Sequence, residues 1–557
     1  MPNLRVLEKA KKQLEKDLKN ILFQTSVVIA LFTISIAIRI YIREWFYANY
    51  DLSVSIQNAL YYSYNNPEAY TWEIFPDAQT YYVKYLNAFK YEQWNPYLLD
   101  RGFPLSGYVY GPIFVYGLTI ISVFIDIIFP GMTISQKTWL SVVSAPIIFD
   151  SITTVFIYLI LRKKKDDRKR NIMNQLYSLL ASIMFIFMPI VLFYNDTLYL
   201  NTYMFTTFTV ISLYFLSREK HKQSAIFLTI AILTKLNALF LAPLWLVYVA
   251  RNNFRKGVEY LMIGIITYVV LSLPWLFISP IRYFIQQLWP GGTENTHFGI
   301  DGTHILWSTT PFHAFLYWYQ ETGKTFWYDA AVLYKDANEM YLPLLIFVFI
   351  CCCVMLLAAK KMRQDKINLF SYTAMFTIGS HIFLSRGNYK YYDSYFIPFV
   401  IIALACWGEN LDTKIGKFSK RISNLFLKKG DIETIKQKKQ KIDSFFSKEI
   451  TQIYVSLLSF FIFSCVFIWI FVLNIWIIFN VKWLHIFYTS LLALTMILLF
   501  KIEIHYALFD VNNYKDLKLF IKEEYRTFTF TTKQTLEKKR SSRKRGKKSK
   551  INEEKPS

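Results

Sequence analysis

Two carboxylates, Glu73 and Asp77, stand at the head of a tyrosine-rich stretch from Trp72 to Phe114 that reads WEIFPDAQTYYVKYLNAFKYEQWNPYLLDRGFPLSGYVYGPIF. Asp77 follows Pro76 and opens the run Ala78 to Lys90, where Tyr81, Tyr85 and Phe89 recur at helical spacing. A helix is therefore predicted there, with Asp77 as its N-cap. Capping and chemistry are compatible roles, because an N-cap carboxylate at a membrane surface can still face a cavity. An aspartate kept ionised by partial exposure to water can take a proton from a hydroxyl while aromatic rings hold a sugar. Glu73 would be the second carboxylate; plain surface solvation accounts for it equally well. The tyrosines have their own alternative in the aromatic belt that lines bilayer interfaces.

A lipid-phosphate leaving group would need cations to take up the developing negative charge. Lys235, Arg282, Arg386 and Lys390 fall in predicted outer positions, and Tyr81 and Tyr110 complete the candidate substrate contacts. Lys235 and Lys390 could instead snorkel to the interface. Arg386 and Lys390 could also pair structurally with Asp393 in the stretch SRGNYKYYDSYFIP. Asp150 lies inside an apolar run, where a charge is expensive without a partner, and Arg39 is the expected partner. His297 and His304 are loop histidines with no motif around them, and Asn195-Asp196-Thr197 matches a short N-glycosylation acceptor pattern.

The elements that must position these residues are membrane helices. Of the 557 residues, 54% are hydrophobic, and several apolar runs reach or approach the roughly 20 residues that cross a bilayer. The net charge of +24 is not a nucleic-acid signal, because its Lys and Arg cluster beside apolar runs, as cytoplasmic basic residues of membrane proteins do. Cys351, Cys352, Cys353, Cys406 and Cys465 all lie inside apolar runs and read as small apolar residues.

Placing the basic clusters in the cytoplasm gives an all-α polytopic protein of roughly twelve spans. Residues 1–20 form a cytoplasmic basic segment, and 21–408 a transmembrane module with outer loops at 43–137 and 280–340. A basic linker (409–450), a transmembrane hairpin (451–500) and a basic tail (501–557) follow. Ile113 to Phe129 is expected to lie at the outer interface or dip into it, since a full span there would invert the Arg162 to Arg170 cluster. Ser224 to Ala250 has basic residues at both ends and Lys235 at its middle, which predicts two short helices that rise and return. Tyr194 to Tyr199 is expected to be a short outer turn.

Taken together, the chain over roughly residues 20 to 410 resembles the GT-C superfamily of integral-membrane glycosyltransferases. The resemblance rests on Arg39 late in the first span, the acidic motif at Glu73 to Asp77, and the elements NPYLLD and YVYGPIF. These last two look like elements of polyprenyl-phosphate-mannose-dependent mannosyltransferases, as do the spans with IIFDSITTVFIYLILR, FMPIVLFYND, ILTKLNALFLAPL and NYKYYDSYFIPF. The acids are spread over more of the chain than a tight DxD pair, which argues against a metal bridge; no cofactor is indicated. The WWDxG signature of oligosaccharyltransferases is missing.

What the resemblance implies is an inverting hexosyltransferase. It would move one hexose, mannose foremost, from a polyprenyl-phosphate or dolichyl-phosphate carrier to a hydroxyl of a glycan, lipid or protein acceptor on the non-cytoplasmic face. Asp77 would be the base with Glu73 beside it, and Arg282, Arg386 and Lys390 would hold the lipid phosphate. The rival from another class is a lipid or sugar transporter, against which stands the lack of paired Gly/Pro-broken helices in two sequence halves.

Overall fold

In the computed structural model, the described residues are 2–49, 82–92, 95, 110–162, 168–281, 283, 311–339, 342–357, 366–383 and 392–406, with short pieces between 460 and 472 and between 515 and 526. Among them the regular structure is helical, with no strand. The helices are α1 (Pro2–Asn49), α2 (Val83–Asn87, continued by a π-helical turn Ala88–Glu92), α3 (Pro112–Ile128), α4 (Ile134–Leu161), α5 (Arg168–Ile186) and α6 (Pro189–Val191, continued by a π-helical turn Leu192–Thr197). They continue with α7 (Tyr203–Ser217), α8 (His221–Thr234), α9 (Leu241–Asn252) and α10 (Phe254–Ile278). Last come α11 (Pro311–Thr322), α12 (Thr325–Glu339), α13 (Leu342–Leu357), α14 (Lys366–Ile382) and α15 (Asp393–Cys406).

Four segments are long and apolar enough to cross a membrane: Leu22–Phe46, Ile134–Leu161, Asn174–Thr197 and Phe254–Ile278. The helices α3, α7, α13 and α15 are shorter but also apolar; α3 and α7 pack against α4, and α13 packs against α9 and α14. Local sequence explains the boundaries. Thr133 and Gln136 form a reciprocal capping box at the start of α4, with hydrogen bonds of 3.0 and 3.3 Å. Asn253 caps α10 through Lys256 N at 3.1 Å, and Pro112 occupies the first turn of α3, where no amide donor is needed.

Helix directions follow from contacts. Leu31 packs with Val155 and Tyr158 while Ser35 lies 3.0 Å from Ser151 and Arg39 meets Asp150, so α1 runs antiparallel to α4; Thr207 lies 2.8 Å from Thr153 and Arg218 reaches Leu159 O, so α7 runs parallel to α4. Small hydroxyl-bearing residues let these helices approach closely and hydrogen-bond across the seam, as membrane helices without a hydrophobic driving force between them require. At one end of the bundle Arg218 donates to Leu159 O and Arg162 O, both at 2.9 Å, covering the last carbonyls of α4. Lys222 pairs with Glu259 at 2.7 Å at that same end.

The stretch from Ser224 to Ala250 rises and returns, as expected. Lys222–Glu259 and Thr229 Oγ1 to Gly264 O (3.4 Å) lay α8 parallel to α10. At the end of α9, a Cβ on Gly257 would sit 2.6 Å from Ala250 Cα, so α9 returns to the start of α10. Lys235 therefore marks the far apex. The helix α3 does not lie flat across the bundle. Asp126 approaches Lys137 at 3.7 Å, and Gly117 faces Phe149, which sets α3 antiparallel to the half of α4 remote from the basic end.

Candidate functional site

The geometry begins at the break between α8 and α9. Lys235 leaves the helix with φ −153° and ψ 133°, and its neighbour's carbonyl, Thr234 O, accepts from Gly111 N at 3.2 Å. That contact is possible only for glycine: a Cβ on residue 111 would stand 1.7 Å from Leu233 O. Tyr110 and the start of α3 are thereby docked on the end of α8.

Lys235 Nζ donates to Asn201 Oδ1 at 2.6 Å, and Asn201 Nδ2 donates to Tyr110 Oη. The ammonium also stands 4.2 Å from the Tyr392 ring centre, 5.9 Å from Tyr110 and 5.8 Å from Phe205. Cation–π attraction of this kind holds an ammonium without neutralising it. The tyrosine helix closes one side: Tyr82 and Tyr85 meet Tyr110 edge-on at 5.9 and 6.3 Å, and Tyr82 meets Phe114 at 5.1 Å. Its buried face includes Tyr82, Tyr85 and Leu86; Tyr85 belongs to the expected stripe.

This helix is pinned to α3 by Lys90, which hydrogen-bonds Asp126 and donates to Ser122 at 2.6 Å. Burial opposes the Lys90 charge, but hydrogen bonds to Asp126 and Tyr91 outweigh it and hold its pKa above the ordinary lysine value.

Asn201 is presented by a buried knuckle between the π-helical turn and α7. Tyr199 there adopts φ +58°, a left-handed conformation that costs a bulky residue about 1–3 kcal/mol and persists only where the surroundings impose it. The surroundings are polar and fully buried. Arg39 is 0% exposed, lies 3.8 Å from Asp150 and hydrogen-bonds Asp196 directly. Asn195 Nδ2 donates to Asp150 Oδ2 at 3.0 Å, while its Oδ1 accepts from Thr202 Oγ1 and from Ser394 Oγ at 3.4 Å. Next to Ser394, Asp393 pairs with His381 Nε2 at 2.8 Å, joining the end of α14 to the start of α15.

Several expectations change. Tyr194 to Tyr199, expected as a short outer turn, is buried, and Leu192–Thr197 form a π-helical turn. Asn195 is 2% exposed, with its amide committed to Asp150, so it is not placed to accept a glycan. Asp150 does pair with Arg39, and the structure adds Asp196 as a second carboxylate. Asp393 has His381 as a partner.

Of the candidate site residues, Lys235 and Tyr110 are described and come together through Asn201. Asp77, Glu73, Tyr81, Arg282, Arg386 and Lys390 lie outside the described residues, as do His297 and His304. Asn201, Tyr392 and His381 were not singled out in the sequence. The one signal for His381 is a polar residue late in an apolar run, a short polar stretch before Asp393. No family model matches this chain, and no curated protein matches it either.

Proposed function

We propose that the protein is a membrane glycosyltransferase that takes a single hexose, mannose foremost, from a polyprenyl-phosphate carrier and passes it with inversion to an acceptor hydroxyl. What supports this reading above all is the Lys235–Asn201–Tyr110 cluster, a lysine at the apex of a helical hairpin walled by aromatic rings. Such a cation suits the developing charge of a departing lipid phosphate, and the rings suit a sugar or an isoprenoid.

Three of the remaining candidates lie close in sequence to described residues of the bundle. Asp77 precedes Tyr82 by five residues, at most about 17 Å of fully extended chain. Arg282 is bonded to Tyr283, which packs in the cluster of Tyr82, Tyr85 and Phe114. Lys390 lies two residues before Tyr392, which faces Lys235. In this reading Asp77 deprotonates the acceptor, Glu73 assists it, and the phosphate departs against Lys235, Arg282, Arg386 and Lys390. Positioning and charge stabilisation supply most of the barrier lowering. The basic end with Arg162, Arg218 and Lys222 faces the cytoplasm, and the Lys235 apex faces the opposite side.

The test is incubation of the purified protein with a panel of radiolabelled polyprenyl-phosphate hexoses. Cleavage of one of them, with label appearing on an acceptor, is the expected result. Movement of intact carrier across a bilayer without cleavage would instead make the protein a transporter.

A further inference from the structure

The basic end of the bundle carries one more helical piece. Arg251, buried at the end of α9, donates through Nε to Leu356 O at 3.0 Å, and its guanidinium stands 4.6 Å from the ring centre of Phe520. That contact docks the helical residues 517–523, with Lys515 just before them, at the end where Arg218 and Lys222 also lie. The level is set by α10, which opens shortly after Arg251 in the chain. Its Phe254, Val258 and Leu261 are large apolar side chains exposed on the outside of the bundle. Hydrocarbon therefore begins at the first turns of α10, and the headgroup layer lies level with Arg251 and the helix docked on it.

Lys515, Lys518 and Lys522 recur at i, i+3 and i+7, the spacing of one helical face, and all three are exposed. Phe520, Asp516 and Glu523 fall outside that register. Leu519 and Ile521, which lie between the lysines in the chain, are exposed as well.

We infer that this lysine stripe is a seat for the phosphate headgroups of anionic phospholipids in the leaflet at the basic end of the bundle. The charges are complementary, and the Phe520–Arg251 contact fixes the stripe at headgroup depth. Exposed aliphatic side chains beside lysines suit the boundary between headgroups and acyl chains, whereas a nucleic-acid surface would set aromatic rings or further cations there. The seat is independent of the sugar chemistry at the opposite end.

The test uses the full chain reconstituted in phosphatidylcholine bilayers with traces of spin-labelled phosphatidylserine or phosphatidylcholine, and reads the fraction of each label held at the protein by electron paramagnetic resonance. The wild type is expected to prefer phosphatidylserine by about 5-fold or more, the worth of one or more lysines near such a headgroup. The triple variant Lys515→Gln, Lys518→Gln, Lys522→Gln is expected to lose most of that preference, and so is the wild type in about 1 M salt, where the screening length falls to about 3 Å. These exposed substitutions touch no packed side chain, so folding is preserved.

No phosphatidylserine preference in the wild type, or an unchanged one in the triple variant, overturns the inference. An equal loss when Lys538, Lys539 and Arg540 of the tail are exchanged for glutamine instead makes the preference a diffuse effect of net charge and also overturns it. Binding of a single-stranded RNA oligonucleotide that the triple variant loses, without any lipid preference, would make the stripe a nucleic-acid site and overturn it as well.

Discussion

Arg39 in the first helix and Asp150 in α4 lie 3.8 Å apart, both sealed from solvent, with Asp196 closing the cluster from the end of the π-helical turn. A buried charge of this kind is weak evidence of net stabilisation, but removing one partner strands the others. Arg39→Met keeps the volume and removes the charge, leaving two carboxylates in an apolar interior. It is expected to cost about 3–5 kcal/mol, read as a large fall in melting temperature in detergent or nanodiscs. A variant that melts with the wild type would contradict the cluster.

Gly111 sits against the last carbonyls of α8, with a 3.2 Å hydrogen bond to Thr234 O. Gly111→Ala puts a methyl group into backbone atoms that have no rotamer to change. The expected loss is about 1–3 kcal/mol or more, together with displacement of Tyr110 from Asn201. Thermal unfolding and accessibility of Tyr110 to iodination check it: both should change, and no change in either refutes the docking.

Glu219 ends α7 in a left-handed conformation, φ +61°, with Glu219 N bonded to Leu216 O and Lys220 N to Phe215 O, both at 3.0 Å. This is a Schellman ending that normally carries glycine. Since Glu219 is exposed, Glu219→Gly relieves strain without losing packing and is expected to raise stability by about 1 kcal/mol. A lower melting temperature would argue against the left-handed assignment.

Orientation is testable at two exposed polar positions, Ser135 at the start of α4 and Gln223 near the start of α8. They lie at opposite ends of the bundle, so Ser135→Cys and Gln223→Cys should react with an impermeant thiol reagent from opposite faces of a sealed vesicle. Labelling of both from one face contradicts the proposed arrangement.

Much of the framework was legible because charge in an apolar run is informative. Arg39 and Asp150 needed partners, and flanking cations forced Ser224 to Ala250 to turn at Lys235. Asp196 was not legible, since Tyr194 to Tyr199 has the polarity of a surface turn and only the tertiary contacts of Arg39 and Asp150 bury it. A π-helical turn leaves no periodic signature in six residues. Asn201 was missed for a related reason: an asparagine signals a turn locally, and its bridging of Tyr110 and Lys235 joins positions far apart in the chain.

Hexose transfer from a radiolabelled polyprenyl-phosphate sugar, compared between the wild type and Asp77→Asn in the same membranes, bears most directly on the proposed chemistry. The wild type should release label from the carrier, and the variant should be slower by about 10²–10⁴-fold, the usual contribution of a general base. Equal rates for the two proteins, or no release by the wild type with any hexose, would contradict the account.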